Sequence, residues 1–347
     1  MERNMSTLEI YGTLGPSCAD PAILRQMFET GVTGMRLNLS HGTLAHSAGM
    51  IEAFHKAADE AGVHPSLLID MQGPELRIGT IEKSRILMDG ETVILARRSA
   101  ALSPAGAIPV PGEIFEHYED GMTLLIDDGK RKLKTTRMRR LDEGDLIEAR
   151  VITGGALLSR KSIAVEGRAI TGNTLTEQDI LNLQNAEAYG VTDVMQPFVR
   201  GAADLREVRK AMQESGAGRC RLFAKIENTE GLAAVEEIIP LTDMVVIARG
   251  DLGNAVPLWH LPYVQKEISH KCRKAGIPFM VVTQMLASME KAPVPTRAEV
   301  SDIFNAVVDG ASSVMVTGET ASGSYPLQVA EYLVRTAREG LRYRETL

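Results

Sequence analysis

Eight short apolar runs alternate with helical stretches along most of this chain of 347 residues. The candidate strands are Leu8–Thr13, Gly34–Leu37, Ser66–Asp70, Asp193–Met195, Arg221–Ala224, Met244–Ala248, Phe279–Val282 and Ser313–Val316. Between two of them, Ala202–Gln213 carries apolar residues at intervals of three and four, which is the pattern of a one-sided helix. Strands that alternate with helices favour a parallel sheet. Eight of them predict an α/β protein built on a (β/α)8, or TIM, barrel.

The interval between the third and fourth candidate strands breaks this rhythm. It carries short alternating runs at Glu91–Leu95, Thr123–Ile126, Lys132–Thr136 and Asp145–Ile152. Asp89-Gly90 directly precedes the first of these runs and Asp128-Gly129 lies between the second and third, and Asp-Gly is a strong hairpin signal. We therefore predict that residues 1–73 form the first part of the barrel and residues 170–347 the remainder. Residues 74–169 are predicted to form a small inserted all-β domain that acts as a lid over the barrel mouth.

Composition and charge exclude several classes of function. The net charge of −7 argues against a non-specific nucleic-acid surface, and no apolar run approaches the roughly 20 residues that span a bilayer. Cys18, Cys220 and Cys272 are scattered without the spacing of a zinc site or a disulfide framework. Because the start of the chain also lacks the apolar segment of a signal peptide, we expect a cytoplasmic protein that binds neither nucleic acid nor membrane.

Two charged clusters follow the fifth and sixth candidate strands. Lys225-Ile226-Glu227-Asn228 comes after the first of these strands, and Arg249-Gly250-Asp251-Leu252-Gly253 after the second. The carboxyl ends of barrel strands meet at one rim, so the clusters bring one ammonium and two carboxylates together. Such a set can hold a divalent cation against an anionic substrate. Buried structural ion pairs are the alternative interpretation.

Polar residues follow other strands at the same rim. They are Arg36, Asn38, Ser40 and His41 after the second strand, Asp70, Glu75 and Arg77 after the third, Thr283 and Gln284 after the seventh, and Thr317 and Glu319 after the eighth. This set supplies cations for phosphate or carboxylate, oxygens for metals and hydroxyls for proton transfer. The sequence has no G-x-x-x-x-G-K-[ST] loop, so a kinase built on it would use metals and rim cations instead.

Nine blocks of sequence occur in a fixed order along the chain. They are Thr13-Leu14-Gly15-Pro16-Ser17, Met35-Arg36-Leu37-Asn38-Leu39-Ser40-His41-Gly42, Asp70-Met71-Gln72-Gly73-Pro74-Glu75-Leu76-Arg77, Ile126-Asp127-Asp128-Gly129, Ala224-Lys225-Ile226-Glu227-Asn228, Ala248-Arg249-Gly250-Asp251-Leu252-Gly253, Thr283-Gln284-Met285-Leu286, Pro295-Thr296-Arg297-Ala298-Glu299 and Gly318-Glu319-Thr320-Ala321. In order and spacing these blocks resemble the pyruvate kinase family. The resemblance covers nearly the whole chain and includes the insertion after the third strand.

The resemblance implies transfer of a phosphoryl group from phosphoenolpyruvate to ADP, which gives pyruvate and ATP. In that reaction Lys225 would neutralise the moving phosphoryl group and stabilise the enolate, and Arg36 would clamp the phosphoryl group. Glu227 and Asp251 would hold Mg²⁺ or Mn²⁺. The backbone N–H groups of Gly250 and Asp251 would bind the substrate carboxylate. For Arg36, a plain salt bridge at the rim is the alternative.

The resemblance also assigns the remaining positions. Thr283, with Thr317 nearby, would belong to the proton route to the enolate carbon. A monovalent-cation site for K⁺ would comprise Asn38, Ser40, Asp70 and Met71. Glu75 stands where potassium-dependent members of the family carry Glu. The implied nucleotide contacts are Asn38, His41, Arg77, Lys161 and Glu319. His41 fits equally well as a residue that orders the Asn38–Ser40 turn.

Several positions depart from the family pattern. They are Met71-Gln72 in place of Thr-Lys, Thr171-Gly172-Asn173 in place of Asp-Leu-Pro, Asn254-Ala255 in place of Val-Glu, and Ser322 in place of Lys. Since the sequence stops at Leu347, just past the last predicted barrel helix, we expect no control by a sugar-phosphate effector bound to the family's C-terminal domain. A homo-oligomer is expected.

Two other functions stay open at this point. One is a metal-dependent lyase, aldolase or decarboxylase that stabilises a pyruvate enolate in the same type of barrel. The other is a non-catalytic protein that binds phosphoenolpyruvate.

Overall fold

The computed structural model describes residues 8–40, 42–81, 84–97, 104–127, 129–140, 144–166 and 172–347. The strands are β1 (Glu9–Thr13), β2 (Gly34–Asn38), β3 (Ser66–Asp70), β4 (Arg85–Leu87), β5 (Thr92–Arg97), β6 (Ile108–Val110), β7 (Thr123–Ile126), β8 (Arg131–Arg139), β9 (Leu146–Thr153), β10 (Gly155–Leu157), β11 (Ile163–Val165), β12 (Asp193–Gln196), β13 (Arg221–Ile226), β14 (Met244–Ala248), β15 (Phe279–Val282) and β16 (Ser313–Met315).

Helices connect most of the barrel strands. They are α1 (Pro21–Thr30), α2 (Ala48–Ala61), α3 (Gly112–Glu116), α4 (Glu177–Asn185), α5 (Ala202–Glu214), α6 (Thr229–Ala233), α7 (Val235–Ile238), α8 (Arg249–Ala255), α9 (Leu261–Ala275), α10 (Arg297–Val308), α11 (Gly318–Ala321) and α12 (Pro326–Arg344). Short 3₁₀ turns lie at Ala45–Ser47, Ile239–Leu241, Leu258–His260 and Ala287–Glu290. Among the described residues no helix is both long and apolar enough to cross a membrane.

Eight parallel strands close into a barrel in the order β1, β16, β15, β14, β13, β12, β3, β2. This topology confirms the predicted (β/α)8 fold. The ends of β3, β14 and β15 are predicted to the residue, and the other barrel strands differ by one or two residues. The prediction succeeds because both faces of such strands are buried, so each strand appears as an unbroken apolar run.

The barrel interior is filled by large side chains on alternate strand positions. Tyr11, Leu68, Phe223 and Met280 are buried there together with Met195, Val246 and Met315. Tyr11 lies beside Gly34 in the register of β1 and β2. A Cβ atom on Gly34 would lie 2.4 Å from the Tyr11 ring, so glycine makes room for the ring. With the centre filled, the inward polar groups gather at the two ends of the barrel.

A charge network closes the end of the barrel where the strands begin. The Arg221 guanidinium donates to Glu9 at 2.7 and 3.1 Å and to Asp193 at 2.6 and 3.1 Å. It also lies 3.0 Å from the Tyr11 hydroxyl, which donates to Glu9 and Asp193. Each member of the network is held by at least two others. The network therefore fixes four inward side chains at once.

The chain divides into two compact units, Met1–Gly73 with Thr174–Leu347, and Pro74–Asn173. The predicted return to the barrel at residue 170 lies outside the described residues. In the second unit a six-stranded sheet has the order β11, β7, β8, β9, β5, β6, and β10 pairs separately with β4. The ends of this unit meet, because the Gly172 N–H donates to the Pro74 carbonyl at 2.8 Å.

The two Asp-Gly predictions have different outcomes. Strands β7 and β8 form the expected antiparallel hairpin, although Asp128 itself lies outside the described residues. The prediction of a hairpin at Asp89-Gly90 is wrong. The strands on either side of it belong to different sheets, since β4 pairs with β10 and β5 with β9. Asp89 instead accepts a hydrogen bond from the Gly154 N–H at 2.7 Å.

Candidate active site

The charged groups of the predicted site meet at the end of the barrel where the strands finish. The Lys225 ammonium lies 2.8 Å from Glu227 Oε1 and 3.3 Å from Asp70 Oδ2. The Arg36 guanidinium contacts the same Asp70 oxygen at 2.7 Å through Nη2. Strands β2, β3 and β13, with Glu227 directly after β13, thus bring two cations and two carboxylates together. The inward direction of alternate residues explains why Lys225 lies above Phe223 and Arg221 on one face of β13.

The charges of Lys225 and Asp70 are mutually stabilised. Burial by itself lowers the pKa of Lys225, but the carboxylates of Asp70 and Glu227 raise it further than burial lowers it. Burial alone would raise the pKa of Asp70, yet Lys225 and Arg36 hold it below its usual value. The site therefore keeps an ammonium and a carboxylate ionised at neutral pH.

Glu227 has the opposite behaviour. Burial, and then the charges of Asp251 and Asp70, raise the pKa of Glu227 to about 7 despite the nearby Lys225. Its Oε2 atom accepts a hydrogen bond from the Phe198 N–H at 2.8 Å. The effect of Asp251 on Glu227 places the two carboxylates within electrostatic range of each other. Carboxylates in this position repel, and a cation between them would relieve the repulsion.

The pair Glu227 and Asp251 fits the requirements of a divalent cation. Mg²⁺ in phosphoryl-transfer sites is usually held by one or two carboxylates together with substrate oxygens. Among the described residues there is no group of three or more His, Cys, Asp or Glu side chains suited to a metal.

The residues predicted to bind K⁺ also lie together. Asn38 is the cross-strand partner of Asp70, and the Asn38 side-chain oxygen accepts hydrogen bonds from the Ser40 N–H and hydroxyl at 3.1 and 2.8 Å. Asp70 Oδ1 is buried and has no hydrogen-bond partner among the described residues. A buried orphaned oxygen fits a cation ligand, because it otherwise keeps the full cost of desolvation. Met71 is buried and follows directly on Asp70.

The turn after β15 carries strained backbone at a predicted catalytic residue. Thr283 has φ of 74° and Gln284 has φ of 54°. Left-handed backbone at a non-glycine residue costs on the order of 1–3 kcal/mol and persists only where the surroundings fix it. The Thr283 side chain lies 3.6 Å from the position that a Cβ atom on Gly250 would take. The structure thus brings Thr283 next to the Gly250-Asp251 segment.

Glu319 and Thr317 form a compact group after β16. One Glu319 oxygen accepts from the Leu286 N–H at 3.2 Å, and the other accepts from the Thr317 N–H at 2.6 Å and the Thr317 hydroxyl at 3.2 Å. Glu319 is buried. These contacts anchor the loop after β15, a function that the sequence did not indicate. The nucleotide contact implied for Glu319 stays a prediction.

Other predicted nucleotide contacts belong to the second unit or fall outside the described residues. Arg77 forms an ion pair with Glu75, and Lys161 lies 2.9 Å from Asp127 Oδ1. Both pairs lie within Pro74–Asn173. His41 lies outside the described residues. The roles of all three residues stay predictions.

Two departures from the family pattern have local partners. The Gln72 side-chain oxygen accepts from the Thr176 hydroxyl at 3.3 Å, and the Ser322 hydroxyl donates to the Gly318 carbonyl at 3.3 Å. The Gln72 contact joins two side chains, and the Ser322 contact joins a side chain to the backbone of its own short helix.

The fold and the site define an α/β barrel protein whose carboxyl rim carries paired cations and carboxylates. Residues 5–330 match the family model described as "Pyruvate kinase, barrel domain". The chain is 40% identical over 96% of its length to a pyruvate kinase of Agrobacterium vitis and 36% identical over 96% to another from the same organism. It is 33% identical over 96% of its length to a pyruvate kinase of Sporosarcina psychrophila. The chain belongs to the pyruvate kinase family.

The chain spans 57% to 69% of the length of these relatives. Membership of the family does not favour the lyase, aldolase, decarboxylase or non-catalytic alternatives.

Proposed function

We propose that this protein transfers the phosphoryl group of phosphoenolpyruvate to ADP and releases pyruvate and ATP. The observation that carries the proposal is the contact of Lys225 with Asp70 and Glu227, beside the Arg36–Asp70 pair. Phosphoryl transfer depends on charge neutralisation and positioning more than on a covalent nucleophile. The rim holds the cations Lys225 and Arg36 next to acidic side chains, so it supplies both charge neutralisation and positioning.

Lys225 and Arg36 act on the transferred group. Their side chains are 14% and 11% exposed, so water screens their charges weakly. Both contact Asp70 Oδ2, which fixes the two cations at one point of the rim. As negative charge moves between the donor and acceptor oxygens, the ammonium and guanidinium stabilise it from fixed positions.

The acidic pair and the Asn38 group would hold the cations of the reaction. Glu227 and Asp251 would bind Mg²⁺ or Mn²⁺, and Asn38, Ser40, Asp70 and Met71 would surround K⁺. When bound, these ions neutralise phosphate and carboxylate charge and orient the substrate. Within the protein, the backbone at Gly250 and Asp251 binds the substrate carboxylate.

The hydroxyl of Thr283 is suited to proton transfer at the enolate carbon. The rigid turn keeps it beside Gly250, and Thr317 follows the neighbouring strand β16. Arg77, Lys161, His41, Asn38 and Glu319 are assigned to the nucleotide.

We assign the protein to the cytoplasm and expect a homo-oligomer that binds neither nucleic acid nor membrane. Its three cysteines are buried thiols without disulfide partners, which suits a reducing compartment.

The direct test is a pyruvate-forming assay on the purified chain. Phosphoenolpyruvate is supplied with Mg²⁺, K⁺ and ADP, GDP or UDP in separate reactions. Pyruvate and the matching triphosphate should appear in equal amounts, and omission of the nucleotide should abolish pyruvate formation. Absence of pyruvate with every nucleotide would refute the proposal. Pyruvate release without any nucleotide would indicate a phosphatase instead.

A further inference from the structure

The strained turn at Thr283 and Gln284 is held by a partly buried arginine, Arg249. Arg249 Nη2 donates to the Thr283 carbonyl at 2.8 Å and contacts the Met285 sulfur at 2.8 Å. Arg249 Nη1 lies 2.8 Å from Asp302 Oδ1 and 2.7 Å from Asp302 Oδ2. The Arg249 side chain is only 11% exposed. One guanidinium therefore joins helix α10 to the turn after β15.

The position of Arg249 in the chain links this contact to the candidate site. Arg249 is the first residue of α8, and the next two residues are Gly250 and Asp251. The same residue thus has its backbone in the segment assigned to substrate carboxylate and metal, and its side chain on the carbonyl of Thr283. Arg249 therefore connects the Gly250-Asp251 segment to the turn that carries Thr283.

Further along the loop, other carboxylates hold other residues. Glu319 accepts from the Leu286 N–H, and Glu299 accepts from the Ser288 N–H at 2.8 Å and the Ser288 hydroxyl at 2.6 Å. The residues held in this way, Leu286 and Ser288, lie three and five residues beyond Thr283. Their contacts do not involve the Thr283 carbonyl. Two consecutive left-handed residues need a restraint at the turn, and the Arg249 fork supplies it.

We propose that Arg249, fixed by Asp302, is a positioning residue that sets the Thr283 hydroxyl for proton transfer. The inference rests on the proposed function, in which Thr283 serves the enolate carbon. A guanidinium suits the task because its planar fork donates to a carboxylate and to a carbonyl in fixed directions. A lysine ammonium is a single point charge and holds such a pair less well.

The test compares Arg249→Met, Arg249→Lys and Asp302→Asn with a matched control, Arg209→Met. Arg209 also pairs with an aspartate, Asp243, which directly precedes β14 at the opposite end of the barrel. We expect Arg249→Met to lower kcat by about ten- to a hundredfold with little change in KM for phosphoenolpyruvate, as for a misplaced catalytic group. Arg249→Lys should recover part of the loss. Arg209→Met should keep kcat within about twofold, since remote sites do not couple.

A double variant separates positioning from general loss of stability. If Asp302 acts through Arg249, then Arg249→Met with Asp302→Asn should have the kcat of Arg249→Met alone. Multiplied losses in the double variant, or a kcat of Arg249→Met equal to that of Arg209→Met, would overturn the inference. If Arg249→Met does not fold, the Arg249→Lys and Asp302→Asn variants carry the same comparison.

Amide hydrogen exchange gives a readout that needs no activity. Exchange of the peptide covering residues 283–290 should be faster in Arg249→Met and Asp302→Asn, and unchanged in Arg209→Met. Wild-type protein without activity would refute the proposed function, and exchange would still decide whether Arg249 fixes the turn. Unchanged exchange in both site variants would refute the inference with the proposed function intact.

Discussion

The two ends of strand β13 carry cations with opposite surroundings. Arg221, at the start, donates to Glu9, Asp193 and Tyr11 within a closed network. Lys225, at the C-terminal end, contacts Asp70 and Glu227. There Asp70 Oδ1 has no hydrogen-bond partner within the described part of the chain, and the pKa of Glu227 is raised to about 7.

This difference distinguishes a network that stabilises the fold from the one that we propose to be the active site. A buried polar network with all partners in place makes the structure rigid. Perturbed pKa values and unsatisfied oxygens are typical of functional sites, where a ligand supplies the missing partner. The direction of the strands distinguishes the two ends, because barrel enzymes carry their active sites at the carboxyl ends of their strands.

The largest expected effect is on catalysis, and it comes from a change of Lys225 at the C-terminal end of β13. Lys225→Met should raise the barrier to phosphoryl transfer by at least about 3 kcal/mol, because a fixed charge at the moving group is lost. Steady-state kinetics of pyruvate formation measures the change. Lys266→Met, which removes an outer ion pair with Asp309, is the control. A loss of less than tenfold in turnover would mean that Lys225 does not neutralise the moving group.

The matching change at the starting end should act on stability. Arg221→Met leaves Asp193, which is fully buried, without its cation. We expect the free energy of unfolding to fall by about 2–4 kcal/mol, somewhat less than for a wholly buried pair because Arg221 is 37% exposed. Denaturant titration gives the value, and kcat per folded molecule should be unchanged. A drop in kcat at wild-type stability would reverse the assignment of the two ends.

The sequence reveals the finishing end better than the starting end. Glu227, Asp251 and Asp70 lie at the end of apolar runs or within three residues of it. Because the strands of the barrel are parallel, these ends lie at the same rim. The network of Arg221 joins Glu9 and Asp193 from strands far apart in the chain, and its pattern depends on barrel register. The Arg249–Asp302 pair likewise joins a short helix to a distant one, and no local spacing predicts it. The hairpin prediction at Asp89-Gly90 failed because the residues of a turn do not determine which sheet the next strand joins.

The network around Arg221 and Tyr11, at the N-terminal end of β13, should make the stability of the fold depend on pH. Burial, and then the charges of Asp193 and Glu9, raise the pKa of Tyr11 well above its ordinary value. The neutral phenol is the form favoured by folding, so its stabilisation is complete below the unfolded-state pKa of about 10 and is lost as pH rises above it. Between about pH 10 and 11, stability should fall by up to about 1.4 kcal/mol per pH unit from this group.

Denaturant titrations of wild type and Tyr11→Phe across this range isolate the effect. The variant is less stable at neutral pH but should have the shallower alkaline slope. Tyr263→Phe, a change at an exposed ring, is the control and should keep the wild-type slope. Equal slopes in wild type and Tyr11→Phe would show that Tyr11 does not titrate in this range.

The smallest expected effect is stabilisation of the fold by K⁺ bound at Asp70 Oδ1. K⁺ at about five times its dissociation constant should stabilise the folded chain by about 1 kcal/mol, since binding to the native state alone adds RT ln(1 + [L]/Kd). Thermal unfolding in K⁺ is compared with unfolding in tetramethylammonium at equal ionic strength. Asn38→Ala should reduce the difference. The same stabilisation by both cations would exclude a specific site.

The contact between Gly172 and Pro74 has a consequence for the order of folding. Strands β3 and β12 are neighbours in the barrel, with Leu68 opposite Asp193, yet the whole second unit lies between them in the chain. Closing a long flexible loop costs conformational entropy that grows with the logarithm of its length. Once the inserted unit has folded, its joined ends act as a short bridge, and the barrel closes as though the insertion were a brief connection.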